Sequence, residues 1–408
     1  MRISTSQFYS QNVSTMNNQQ AQLSQLYQQI ASGVSLTTPA DNPLNAAQAV
    51  QLSMTSATLT QYSANQSSAL TSLQMEYQTL TSVNSVLNNI YQTVMSAGKG
   101  TLSDSDRSAL AAQMQGARDQ LLNLANSTDG SGNYVFSGFQ ANTPPFTNKA
   151  GGGVSYSGDG GQRVVQITAN STVAQSDDGA SVFQSVPMLG SSPVPAAGAS
   201  NTGTGAIGAV TITDPTATSN TQQFTITFGG TAAAPTYTVT PSAVTPPTPQ
   251  PYTSGAAIAL GNGEKVAISG TPAAGDTFTV TPAPQSGTDI FGALDTMIAA
   301  LQQPVGSSTV AATALQNIMT TGATKLTNTM TNVLTVQASV SGRAQEVQAM
   351  QTVTTNNSLQ TSNSLADLTS TNMPAAISQF LQVQNALTAT QKTFVQMQNL
   401  SLFQYINP

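Results

Sequence analysis

The side chains that catalysis most often uses are largely missing. The 408 residues include no histidine and no cysteine. Imidazole acid–base chemistry, HExxH zinc sites and Ser–His–Asp triads are therefore excluded. Disulfides and thiolate chemistry are excluded as well. The 16 Asp and Glu carboxylates are scattered along the chain. Asp104 and Asp106 follow Ser103 and read as a helix start, where acids face the free N–H groups of the first turn. Asp177 and Asp178 precede Gly179 and read as a turn, since the ligand spacing of a calcium loop is absent. GTGAIG at 203–208 matches GxGxxG by letter only. It precedes a strand-like run, whereas the dinucleotide fingerprint follows a strand and opens a helix. GKG at 98–100 lacks the rest of a phosphate loop. No catalytic, metal-binding or cofactor-binding residue is assigned, no cofactor is expected, and the chain reads as not an enzyme. Tyr156, Tyr237 and Tyr252 are the remaining candidates. They could stack on sugar rings, or pack within small β cores.

Composition points to packing as the chain's business. Hydrophobic residues make up 39% and charged residues only 6%, against a usual quarter. Ser, Thr, Asn and Gln fill the surface, which is polar but weakly self-repelling and suits packing against copies of itself. Net charge is −6, and no Lys/Arg cluster exists to hold a phosphate backbone, so no nucleic acid is expected. No apolar run reaches the roughly 20 residues of a membrane helix, so no membrane insertion is expected. The opening MRISTSQFYSQNVS lacks the apolar core of a signal peptide.

The elements follow from periodicity. Tyr9, Val13, Met16, Gln20, Leu23, Tyr27 and Ile30 alternate in steps of four and three, as a coiled-coil seam does. Gly33 reads as the helix stop. In the loop TTPADNPLN, Asn42 reads as an N-cap and Pro43 as the first helical residue. A helix on the order of 65 Å then runs to about residue 97. Its stripe includes Leu73, Glu76, Leu80, Val83, Leu87, Ile90 and Val94. Another helix starts at Ser103, and YVFSGF at 134–139 reads as a strand. From about 134 to 288 the chain is rich in Gly, Pro, Thr and Val. Strands are predicted there at 164–168, 209–213, 223–228, 236–240, 265–269 and 277–281. A helix returns at Asp289, and a longer one spans about 307 to 372, with Leu315, Met319, Leu326, Val333, Val340 and Val347 in its stripe. Pro374 marks a break. Phe380, Val383, Leu387, Thr390, Phe394 and Met397 then resume the seam.

The expected fold class is α + β and multidomain: an elongated antiparallel helical rod formed by both chain ends, with an all-β domain inserted in the middle. Residues 1–38 and 374–408 are the terminal assembly helices. Residues 39–133 and 289–373 are the long-helix rod, and 134–288 is the β insert, of one or two small units. The end segments carry one charged residue each, Arg2 and Lys392, so they lack the Glu–Lys pairs that support a lone helix. Ordering them costs about 1–2 kcal/mol per residue in backbone entropy. Two seams facing each other are not expected to offset that, so the ends should order on assembly. The expected assembly interface is Val13, Met16, Leu23, Tyr27 and Ile30 at one end, and Phe380, Val383, Leu387, Phe394, Met397 and Leu402 at the other. The loop residues Asp41, Asn42 and Pro43 belong with it.

Several stretches carry a family resemblance. They are MRIST (1–5), QQIASG (28–33), PADNP (39–43), ANSTDGSGNYVFSGF (125–139) and PPF (144–146). Further on come ISGTPAAGDTFTVTP (268–282), IFGAL (290–294), SGRAQEV (341–347) and SLFQYI (401–406). In this order the chain resembles the hook–filament junction proteins of the flagellin-like family. It departs in having Asp41–Asn42 where two aspartates are common, and in a less acidic run before Pro374. The resemblance implies export through the flagellar type III apparatus without a cleaved signal, and an extracellular place in the flagellum. It implies a ring of subunits at the hook's distal end. The implied partners are other copies of itself, hook-associated protein 1, flagellin, the filament cap during growth, and an export chaperone that binds the C-terminal helix region. Flagellin itself is the alternative within the family, although MRIST, SLFQYI and ISGTPAAGDTF favour the junction protein. An adhesin or glycan-binding module on a helical stalk is the alternative from another class.

Overall fold

The computed structural model describes residues 5–98, 102–187, 189–241 and 247–406. Seven helices are described: α1 (Thr5–Ser32), α2 (Pro43–Ala97), α3 (Asp104–Ala125), α4 (Gly179–Phe183), α5 (Ile290–Gln302), α6 (Thr309–Thr369) and α7 (Met373–Ile406). Long helices at both ends flank a middle segment of β-sheet, as the periodicity predicts. The starts and stops follow local chemistry. Asn42 Oδ1 accepts the Asn45 N–H at 3.1 Å and caps α2, with Pro43 leading. Ser103 and Asp106 form a reciprocal capping box on α3. Asn372 Oδ1 accepts the Ala375 N–H at 3.2 Å, which sets Pro374 harmlessly in the first turn of α7.

The chain divides into two compact units. One holds the residues up to 64 and those from 351 on; the other is 65–350. The boundaries fall inside α2 and α6. Burial changes there. Within 65–350 the α2 stripe from Leu73 through Leu80, Val83, Leu87 and Ile90 to Val94 is buried, and so is the α6 stripe Leu326, Val333, Val340, Val347. Outside it, few large side chains are.

The β-rich segment also divides. The hairpins β1–β2 (Phe146–Asn148, Val154–Tyr156) and β3–β4 (Val164–Thr168, Ser171–Ala174) add Phe146, Val154, Ile167 and Val173 to the helical core. Phe183 and Phe291 meet Phe146 there in edge-on and tilted contacts, and Phe136 meets Phe183 edge-on. The expected strand at 134–139 is instead a series of turns, with one bridge between Thr128 and Tyr134. Gly138 has φ +68°, and a Cβ there would lie 2.1 Å from Asp159 Oδ1. An extended run cannot pass through such a position.

Nine further strands complete the middle segment: β5 (Val194–Ala197), β6 (Ala206–Ile207), β7 (Thr211–Ile212), β8 (Phe224–Thr231), β9 (Ala234–Thr240), β10 (Gln250–Pro251), β11 (Ala257–Leu260), β12 (Glu264–Ser269) and β13 (Thr277–Thr281). They form two antiparallel sheets, ordered β10-β9-β8-β13-β5 and β11-β12-β6, with β7 also on β12. Ile226, Phe228, Phe278 and Val280 from the first sheet share one core with Ile258, Leu260, Val266 and Ile268 from the second. Alternation along β8, β12 and β13 places these residues on one face. The predicted strand at 209–213 shrinks to Thr211–Ile212, whose side chains are exposed.

Three asparagines on α6 hold this segment by its backbone. Asn317 donates to Gly205 O at 3.0 Å and accepts from Ile207 N at 2.8 Å. Asn328 exchanges both bonds with Ser192, each at 2.8 Å. Asn332 donates to Ser181 O and Val182 O at 2.8 and 2.9 Å. Each side-chain amide satisfies backbone groups that would otherwise be buried without partners.

Candidate assembly interface

The terminal helices α1 and α7 run antiparallel. At one end the Tyr9 and Phe394 rings lie 5.0 Å apart. At the other, Thr371 N donates to Gly33 O at 2.9 Å and Ser35 N donates to Thr369 O at 2.7 Å. Gly33 closes α1 with φ +70°. Asp41 secures the following loop. Its Oδ1 accepts from Gln25 Nε2 at 2.9 Å, and its Oδ2 accepts from Thr37 Oγ1 and Thr38 N at 2.8 and 2.7 Å. These bonds to the ionised form hold the Asp41 carboxyl below its ordinary range, the Thr38 N–H contributing most.

The seam residues fall into two groups. Val13, Met16, Leu23 and Ile30 on α1 are half-buried, as are Phe380, Val383, Leu387 and Phe394 on α7. Tyr27 is 65% exposed, while its neighbour Leu26 is 6% exposed. Gln20 is likewise exposed and Gln19 half-buried. The inner face of α1 therefore runs Met16, Gln19, Leu23, Leu26, Ile30, one residue out of step with the sequence reading at two positions. Equal spacing fits both choices, and only the neighbouring helix distinguishes them. The side chains of Met397 and Leu402, and Arg2, lie outside the described residues.

Large apolar side chains remain uncovered around this unit: Phe8, Tyr9, Tyr27, Leu44, Val50 and Met54, and on α7 Ile377, Leu381 and Val395. The loop residues Asn42 and Pro43 are exposed beside Leu44.

The tyrosines considered for sugar binding are occupied. Tyr156 Oη bonds to Phe136 O and Asp159 O, both at 3.0 Å, and its ring packs 5.1 Å from Phe146. Tyr252 Oη bonds to Ile268 O and Gly270 O, and its ring meets Phe228 edge-on. Tyr237 packs beside the same Phe228. Their faces serve β cores. The GxGxxG look-alike is similarly committed, with Gly203 N donating to Asp276 Oδ2 at 3.1 Å and Ala206–Ile207 paired to β12. Asp178 caps α4 through Ser181 N, as a turn residue would. Among the described residues no three acidic side chains converge as a metal site, and no helix is long and apolar enough to cross a membrane.

Two buried carboxyls matter for stability. Glu76 on α2 accepts the Asp177 N–H at 3.0 Å, and Arg343 on α6 pairs with Asp177. Burial first, and then the neighbouring Asp177 carboxylate, push the Glu76 carboxyl up to about 8. Burial pushes Glu264 on β12 up to about 7. Both groups prefer the neutral form when folded. Their contribution is fully present below the ordinary Glu range and is lost as pH rises through 7 and 8. No histidine is present to mask this. Thermal unfolding of the 65–350 unit is thus expected at a lower temperature at pH 8.5 than at pH 5. Glu76→Gln keeps the acceptor for Asp177 N–H and should raise the midpoint at pH 8.5 by on the order of 5 °C, with little change at pH 5. An equal effect at both pH values would refute this assignment.

The sequence profile of the bacterial flagellin N-terminal helical region matches residues 3–141. Flagellar hook-associated protein 3 of Salmonella typhimurium is 29% identical over 404 residues, covering 99% of each chain. The Escherichia coli protein of the same name is 28% identical over the same length and coverage. Among solved structures, flagellar hook associated protein-3 from Legionella pneumophila superposes with a TM-score of 0.70 at 26% identity, over 78% of this chain and 98% of that one. FlgL from Xanthomonas campestris shares the fold, with a TM-score of 0.66 at 24% identity over 76% of this chain and 98% of that one.

Proposed function

We infer that this chain, a flagellin-like protein similar along its whole length to flagellar hook-associated protein 3, is a structural subunit of the bacterial flagellum at the hook–filament junction. The observation that carries the reading is the match over 99% of both chains, which includes the middle β segment as well as the helical ends. A flagellin reading rests on residues 3–141 alone. The glycan-binding reading loses its support with the tyrosine faces packed in β cores.

The physical role is packing. The α1–α7 pair has half-exposed seams and almost no charge, so its remaining apolar surface is matched by neighbours rather than by water. The terminal pair is only marginally stable in the isolated chain and becomes fixed when neighbours cover it. Copies of the chain form a ring, with hook-associated protein 1 on the hook side. Flagellin, or the cap during growth, lies on the other side. The chain reaches this place through the flagellar export route without a cleaved signal, and a chaperone covers the α7 region before export. It performs no catalytic step.

Deleting the gene is expected to leave hooks without filaments, with flagellin released to the medium, as electron microscopy and blotting would record. Filaments of normal number and length would refute the reading. A chain ending at Gln379 should also give no filaments, while its 65–350 unit unfolds at the parental temperature.

A further inference from the structure

The terminal unit contains few charges. Among its described residues, 5–64 and 351–406, they are Asp41, Asp367 and Lys392. Asp41 is fully engaged in its loop. Asp367 on α6 and Lys392 on α7 are both exposed, and neither takes part in any ion pair or hydrogen bond of the described residues. They cannot pair within one chain. Lys392 lies well along α7, so roughly 30 Å of helix separates it from the α6–α7 junction beside Asp367. That is several times the Debye length of about 8 Å at physiological ionic strength.

Each charge sits beside apolar side chains in otherwise uncharged surroundings. Asp367 rims a groove of about 470 Å³ between α2 and α6, lined also by Gln48, Gln51, Leu52, Thr55, Ser364 and Leu368. Leu52 and Leu368 are half-buried there. Lys392 shares the outer face of α7 with Val395, one turn on and 55% exposed. One surface thus joins two leucines and uncharged polar side chains to an anion at its rim, and the other joins a valine to a cation. Both belong to the same unit but lie at different levels of it. Two unlike complementary patches on one subunit generate a head-to-tail contact, the kind that closes rings or continues helical arrays.

We propose that the Lys392–Val395 face of α7 from a second copy of the chain docks in the Asp367 groove, with Lys392 pairing to Asp367 across the interface. This rests on the reading of the chain as a self-assembling subunit. The pair sets the register between copies, because an unpaired charge in so uncharged a surface disfavours every other alignment.

The test uses the full-length chain. A mixture of ¹⁵N-labelled and unlabelled protein is concentrated and treated with a carbodiimide, which joins a carboxylate to an amine only where the two touch. Mass spectrometry is expected to find an Asp367–Lys392 link between labelled and unlabelled copies. In cells, Asp367→Lys and Lys392→Asp should each cut the number of filament-bearing cells about tenfold, because like charges then face each other. The double exchange should restore it. Both positions are exposed, so unfolding midpoints should not move. Absence of the link, neutral single reversals, or an exchange no better than either single would overturn the proposal. So would Lys392 linked to a different flagellar protein in isolated flagella. Normal filaments after gene deletion would overturn the junction reading instead, and the link in the purified chain is read independently of it.

Discussion

Asp295→Ala is expected to destabilise the 65–350 unit by about 3 kcal/mol, because it leaves a buried guanidinium with only the exposed Asp119 carboxylate, 3.5 Å from Nη1, as counter-ion. Arg118 on α3 is 5% exposed at its side chain, and its Nε and Nη2 donate to Asp295 Oδ1 and Oδ2 at 2.7 and 3.1 Å. Its Nη1 donates to Asn148 Oδ1 at 2.7 Å, and its guanidinium lies over the Phe291 ring at 5.8 Å. Asp295 Oδ2 also accepts the Gly153 N–H at 2.6 Å. One ion pair thereby joins α3, α5 and the β1–β2 hairpin. The midpoint of thermal unfolding should fall by roughly 10 °C. Arg118→Lys should not substitute, since an ammonium cannot form the two-pronged contact. Replacing both partners by apolar residues, Arg118→Met with Asp295→Leu, should recover much of the loss. If Asp295→Ala unfolds within a degree or two of the parent, the pair is not a structural clasp.

Leu26→Asp is expected to abolish filament attachment while the 65–350 unit unfolds unchanged. Leu26 is the most buried large side chain described on α1, and a carboxylate there would have to leave water without a partner. Since the seams of α1 and α7 are only half-buried, the pair has little stability to spare. Hydrogen exchange should show α1 and α7 losing protection together. Tyr27→Asp, one residue along, should leave that protection unaltered in the isolated chain. Should it nonetheless remove filaments, Tyr27 belongs to a contact between subunits. Wild-type filaments on Leu26→Asp cells would contradict the role given to the terminal pair.

The contrast between Leu26 and Tyr27 shows how far periodicity reaches. A seam of fours and threes identifies a helix and its approximate face. It does not decide between adjacent residues when both are large and apolar, because neither choice breaks the spacing. Tyr27 is amphipathic and tolerates water, and only the packing of the unit settled the matter. On α7 Leu381 and Val395 adjoin Phe380 and Phe394 in the same way, and there the half-buried residues are the ones the spacing picks. The strand expected at YVFSGF failed for a different reason. Its residues suit a strand, but Gly138 takes a positive φ against Asp159, a residue twenty-one positions away whose approach no local pattern announces. Asn317, Asn328 and Asn332 carried a faint signal, since asparagine is a poor helix former, yet their backbone partners lie more than a hundred residues upstream.

By itself the sequence determined the absence of histidine and thiol chemistry, the long helices with their caps and stops, and the weakly charged ends. All of these depend on residue type and short-range spacing, which a chain carries whether folded or not. Tertiary structure decided what long-range approach alone can decide. It placed the early hairpins in the helical core and the later strands in a two-sheet core of their own. It chose Leu26 over Tyr27, buried Glu76 beside Asp177, and left Asp367 and Lys392 on separate surfaces without partners. Burial and pairing are properties of neighbours, and neighbours far apart in the chain are set only when it folds.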